Sequence, residues 1–192
     1  QRTRLADFGL AGRAAMCGAT AGEGLQEFVA HYNLHIGATT ATLVTSGGFA
    51  RLVYAISVRG ISDARQFQLG AVAIEFNILQ DLFGRQWLPA VVTFATRAPS
   101  NLRPFHLHFR APLRFDSDES AVIFERHWLD RPLPPVGPAF RSQVAAELRA
   151  RQAAILQNFP AAVRRMVRRR LIIGQIGMDD VAATFGMHRR TL

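Results

Sequence analysis

The chain has 192 residues, 49% of them hydrophobic, so it can bury a core of one full domain or one domain plus part of a second. No stretch approaches roughly 18 uncharged apolar residues, which excludes a helical membrane span on hydropathy grounds. Its single cysteine, Cys17, excludes an internal disulfide and a cysteine-based metal site. The cytoplasm is therefore the expected compartment, with Cys17 read as a small buried apolar residue. The net charge of +9 comes from 23 arginines, with no lysine, against 14 acidic residues. Seven of those arginines fall at or after Arg164, which from charge alone suggests either polyanion contact at one end of the chain or a solvated helix face.

In chain order, Thr20-Ala21-Gly22-Glu23 has the form of a capping box, and Leu25, Phe28, Val29 and Tyr32 follow at helical spacing to about Asn33. Two β-type runs, Thr39–Thr45 and Phe49–Val58, flank Ser46-Gly47-Gly48 and read as a hairpin, with Leu52, Tyr54 and Ile56 on one face. Ser62 can cap a helix to about Phe83, stopped by Gly84, with Phe67, Ala71, Ile74, Ile78 and Leu82 as its buried stripe. Trp87–Phe94 reads as a strand and Arg97–Pro104 as a loop. Phe105–Phe109 is ambiguous between helical turn and strand. Leu113–Phe115 and Ala121–Phe124 flank Asp116-Ser117-Asp118-Glu119 and suggest a second hairpin. Arg131–Pro138, with four prolines and one glycine, is a rigid connector into a helix that opens at Pro138 and reaches about Asn158. Pro160 opens a further helix, whose apolar Val163, Met166, Val167 and Leu171 are surrounded by Arg164, Arg165, Arg168 and Arg169.

The last fifteen residues, Met178–Leu192, have the anatomy of a helix-turn-helix. Asp179 and Asp180 sit at the positive end of a first helix. Val181, Ala182 and Phe185 face inward, and the small Ala182 allows close helix crossing. Gly186 supplies a left-handed turn, Met187 plugs it, and a second helix starts near His188.

These residues resemble the AraC family of transcription regulators, in Val181-Ala182, Gly186-Met187 and Arg190-Thr191-Leu192. His188 stands where the family usually carries a capping serine. Upstream, Asp7-Phe8-Gly9-Leu10, Trp87-Leu88-Pro89, Phe109–Phe115 and Trp128–Pro134 resemble the subgroup whose sensing half is an arabinose-binding-type domain. Ala95-Thr96-Arg97 departs from the family, which often has a histidine after that strand. The resemblance implies sensing-domain helices before Gln1 and, after Leu192, the rest of the recognition helix and a second helix-turn-helix.

The expected fold is α+β: a mostly antiparallel sheet packed by helices, an effector-sensing and dimerisation domain over 1–157, then the start of an all-α helix-turn-helix domain over 158–192. The expected function is a DNA-binding regulator, without cofactor or metal, whose small-molecule effector biases the helix-turn-helix units. Promoter DNA, the effector, a second copy and RNA polymerase are the partners. His188, Arg189 and Arg190 are the expected DNA contacts at the reading helix. Arg164, Arg165 and Arg168 would touch phosphates or the sensing domain. The aromatics Phe49, Tyr54, Phe76, Trp87, Phe94 and Trp128 read first as core packing; if a small effector binds, an apolar pocket lined by Tyr54, Trp87 and Phe94 and anchored by Arg51 or Arg103 is the expectation. The alternatives are a small-molecule-binding enzyme with a structural basic tail, and an effector-free dimerisation module. His106 and His108 would share a face on a strand and, with His127 or His35, could ligate a metal, but no nearby carboxylate pair or cysteine supports it and surface or hydrogen-bonded histidines are the expectation.

Overall fold

A computed structural model describes residues 3–32, 39–56 and 65–157. The expected helices around Arg164–Arg168 and around His188–Arg190 lie outside the described residues. The chain divides into two compact units, Gln1–Arg141 and Ser142–Leu192. The first carries the whole sheet. Of the second, only the continuation of a helix to Gln157 is described.

The first unit opens with a 3-10 turn, Leu5–Phe8, and a short helix α1, Gly9–Ala15. This helix is built almost wholly of alanine and glycine on its buried side, which lets it lie close against α2, Ala21–Tyr32. The Glu23 amide donates to Thr20 Oγ1 at 3.2 Å, while Glu23 Oε2 accepts from the Ala19 amide at 2.8 Å. The first turn of α2 is thus capped from both sides. Leu25, Phe28 and Tyr32 are buried beneath it.

Strands β1 (Thr39–Ser46) and β2 (Phe49–Ile56) form the expected hairpin, with Thr39 opposite Ile56 and Ser46 opposite Phe49. Gly47 takes a positive φ of 58° in the turn, which glycine adopts without steric penalty. Helix α3 (Arg65–Phe83) follows, ends at Gly84 with φ 96°, and crosses β2 and β5. Its buried arc is wider than the sequence stripe, taking in Val72, Phe76, Leu79 and Phe83 as well as Ile78 and Leu82. Phe67, expected in that stripe, is 71% exposed. The helix is covered on several sides at once, so its inner face does not track the period of its apolar residues alone.

Two other sequence expectations are corrected, and the open choice at Phe105–Phe109 is settled as helix. The strand β3 covers only Val91–Thr93, and Trp87–Ala90 leads into it without pairing as strand. Phe105–Phe109 belongs to a helix, α4 (Arg103–Phe109), with a proline in its first turn. The two runs around Asp116–Glu119 do not form a hairpin: β4 (Leu113–Arg114) pairs in parallel with β3, and β3 lies between β4 and β5 (Ser120–Glu125). The sheet order is β1-β2-β5-β3-β4, antiparallel at every junction except β3–β4. The α+β class with a mostly antiparallel sheet follows directly.

Alternation along the strands puts Ala41, Leu52, Tyr54, Val92, Val122 and Phe124 on the inner face. Phe124 meets Phe83 at 5.0 Å between ring centroids and Trp87 at 5.9 Å. Phe76 links this group to a second one through Phe109, at 5.2 Å, and Phe94 stacks there on Phe115 at 4.7 Å. A 3-10 segment, Arg126–Asp130, then delivers the chain to an extended strap that ends where α5 (Pro138–Gln157) begins.

Candidate functional site

The strap is stitched down at its start. The Arg131 carbonyl accepts from the Ala21 amide at 2.8 Å, the Leu133 amide donates to the Ala19 carbonyl at 3.0 Å, and Pro132 bridges Thr20. Arg131 Nη1 donates to the Phe83 carbonyl, so the guanidinium covers the C-terminal end of α3 beside Gly84. On the other side, Asp81 near the end of α3 accepts the Leu5 amide at 2.9 Å and ties down the N-terminal 3-10 turn.

Between these fixed points lies a surface groove of about 480 Å³. That is within the ordinary size of a small-molecule site, roughly 300–1,000 Å³. Leu5, Met16, Leu82 and Leu133 give it apolar lining, and Pro134, Pro135 and Val136 complete the wall. Arg4 and Arg85, both exposed, also line it. Among the described residues neither guanidinium pairs with a carboxylate. Gln80 is buried, and its Nε2 donates to the Trp87 carbonyl at 3.3 Å.

The five residues expected to hold an effector are not gathered in this groove. Arg51 and Tyr54 are three apart on β2 and so project from opposite faces of the sheet. Tyr54 is buried on the inner face, while Arg51 Nε pairs with Glu119 Oε1 at 3.1 Å on the outer face. Trp87 is buried among Phe76, Phe83 and Phe124, with Nε1 left without a hydrogen-bond partner. Phe94 lies in the second aromatic group with Phe105, Phe109 and Phe115. Arg103 opens α4 on the surface. Of the other aromatics, Phe76 and Trp128 both reach the Phe83–Trp87 group, whereas Phe49 is 50% exposed on the outer face.

The histidines do not assemble either. His106 and His108 are on helix α4, where residues two apart diverge, and His108 packs edge-on against Phe76 at 5.2 Å. His127 pairs with Glu125 at 3.3 Å, and His35 lies outside the described residues. Among the described residues no group of three or more His, Cys, Asp or Glu side chains is placed to hold a metal ion. No described helix is long and apolar enough to cross a membrane. Cys17 is half-buried and donates weakly to the Arg13 carbonyl.

One buried charge escaped the sequence reading. Glu75 lies within the buried arc of α3, with neither carboxylate oxygen hydrogen-bonded. Desolvation pushes its pKa well above the ordinary carboxylate value. Its only sequence signal is a lone acid inside the run Ala71–Leu79, which is otherwise apolar but for Asn77.

Sheet, flanking helices, groove and strap together define an α+β domain with a concave surface of small-molecule size. The chain belongs to the family described as the arabinose-binding domain of AraC transcription regulators, N-terminal part, whose model matches residues 1–133. That family is one of transcription-regulator sensing domains, not of enzymes. No curated protein matches the chain. Among solved structures, the chain is similar to the transcriptional regulator CdpR from Pseudomonas aeruginosa, with a TM-score of 0.59 at 17% identity. The match covers 98% of this chain and 62% of CdpR, so the chain spans under two thirds of that protein's length.

Proposed function

We propose that this chain is the sensing part, with the beginning of the DNA-binding part, of an effector-responsive regulator that acts on promoter DNA in the cytoplasm. The observation that carries this reading is the family match over residues 1–133, the stretch that folds into the sheet and its covering helices. The helix-turn-helix pattern of Met178–Leu192 supports it from the other end of the chain. In this reading a small effector, bound in the first unit, shifts the balance between promoter-competent and incompetent arrangements of a homodimer. His188, Arg189 and Arg190 approach the bases, Arg164, Arg165 and Arg168 approach phosphates, and the bound regulator activates or represses RNA polymerase.

Fluorescence anisotropy of the 192-residue chain on duplex DNA tests the DNA half of this reading. Contacts from arginine side chains to phosphates make the expected binding weak, salt-sensitive and indifferent to sequence. Each phosphate that a basic side chain neutralises adds about 0.9 to the slope of log affinity against log salt. Replacing Arg164, Arg165 and Arg168 together by Gln therefore lowers that slope by up to about 2.7. A slope unchanged in the triple variant removes those arginines from the interface. A chain with no measurable affinity for DNA even at low salt removes the DNA-binding assignment for this segment.

A further inference from the structure

We infer that the groove between the N-terminal 3-10 turn, the end of α3 and the Pro134–Val136 strap is the effector site, and that it takes a small amphipathic monoanion, an apolar body carrying one carboxylate. This assignment rests on the reading of the chain as a sensor and adds the place and the ligand class.

Charge selects the anion. Arg4 and Arg85 line the groove without an ion pair among the described residues, so the lining carries two cations against one carboxylate, Asp81, which accepts the Leu5 amide. A guanidinium matches a carboxylate in shape and in donor geometry, and two of them favour an anion over a neutral or cationic guest. The lining selects the body. Leu5, Leu82 and the strap offer aliphatic surface and few hydrogen-bonding groups, Gln80 being the main neutral one. A sugar would bring several hydroxyls with little to satisfy them, at a cost for each one buried unpaired. An alkyl or aryl body suits the same walls, so the carbohydrate in the family's name does not transfer to this groove.

Position links the groove to the rest of the chain. The strap is hydrogen-bonded through Arg131 and Leu133, but Pro134 and Pro135 have no amide hydrogen to donate and form the wall by packing. Two residues after Val136 the chain enters α5. A guest in the groove packs against the part of the connector that the fold ties down least, and this is how occupancy reaches the chain that follows.

Octanoate is the probe, with octan-1-ol, octylammonium and arabinose as comparators, measured on the 192-residue chain by thermal shift and by hydrogen exchange with mass spectrometry. Octanoate is expected to bind saturably, with Kd of about 1 mM or tighter, as ten or so apolar and charged atoms allow, and to slow exchange around Gln80–Gln86 and Leu133–Gly137. The comparators bind at least tenfold more weakly. Arg4 and Arg85 are exposed, so R4Q and R85Q leave the ligand-free melting temperature unchanged. Each weakens octanoate about threefold, and the double variant about tenfold. Absence of saturable binding, equal affinity in the double variant, octanol binding as well as octanoate, or protection elsewhere would each overturn the assignment. Saturable, arginine-dependent binding in the groove that leaves exchange in α5 unchanged would spare the groove and sink the sensor reading instead.

Discussion

Replacing Glu75 by Met should make the protein more stable, and increasingly so as pH rises. Both carboxylate oxygens of Glu75 are buried without a hydrogen bond. A buried polar group left unsatisfied costs about 1–3 kcal/mol even when neutral. Met has a similar unbranched stem and brings no such group. For a chain of this size, a gain of 1–3 kcal/mol corresponds to a rise of about 3–9 °C in Tm. The sign of the pH effect follows from desolvation, which raises the Glu75 pKa in the folded state above the ordinary value of 4.5. Between that value and the raised one, the unfolded chain has released its proton while the folded chain keeps it. Stability therefore falls as pH climbs through that window, and the loss is complete above the folded-state pKa. The gap between Glu75→Met and the parent is smallest near pH 4.5 and widens upward, because other carboxyl groups titrate alike in both proteins and cancel. Urea unfolding at a series of pH values from 5 to 8.5 measures it. A variant no more stable than the parent at pH 8, or a gap that does not widen, would mean that the carboxyl is satisfied in solution and pays no desolvation penalty.

Two glycines in helices should respond in opposite directions to alanine. At Gly12 an added Cβ would run into the Leu5 carbonyl, so the 3-10 turn must move, and Gly12→Ala should cost about 1–3 kcal/mol. At Gly70, within α3, nothing lies within 4 Å, and Gly70→Ala should stabilise by about 0.5–1 kcal/mol in the same urea titration. Phe124→Ala removes a fully buried ring that touches both Phe83 and Trp87, and should cost about 3–5 kcal/mol by thermal or urea unfolding. A destabilisation under about 1 kcal/mol there would mean that the aromatic group collapses freely into the space.

What could be read from the amino-acid order was local. Ser46-Gly47-Gly48 between two β-branched runs set the β1–β2 turn and, with it, the register of the largest strand pair. Thr20 and Glu23 marked the start of α2, and Gly84 the end of α3. What failed was long-range or made of small residues. β4 is two residues long and pairs with a strand some twenty positions earlier, so the acidic tetrapeptide beside it looked like a hairpin turn when it only leads into β5. Helix α1 buries Ala11, Gly12, Ala14 and Ala15, residues whose packing leaves no trace in a pattern of large apolar side chains.

The candidate site shows the same division on a smaller scale. Arg51, Tyr54, Trp87, Phe94 and Arg103 are pocket residues by type only, and core packing is the first reading of the aromatics among them. Folding uses the aromatics among them as core: Trp87 and Phe94 are spent on the rings around Phe83 and Phe115. The groove is instead lined by aliphatic side chains, two prolines and two surface arginines, drawn from Arg4–Ala6, Met16, Gln80–Arg85 and Leu133–Val136. Apart from Leu133–Pro134, the end of the Trp128–Pro134 motif, none of these segments carries a recognisable motif. What brings them together is a set of hydrogen bonds, from the Leu5 amide to the Asp81 carboxylate, from the Leu133 amide to the Ala19 carbonyl and from the Ala21 amide to the Arg131 carbonyl. A concave site that depends on such tertiary tethers is invisible to any reading by residue type. That its arginines face no carboxylate partner among the described residues can be recognised only once the neighbours in space are known.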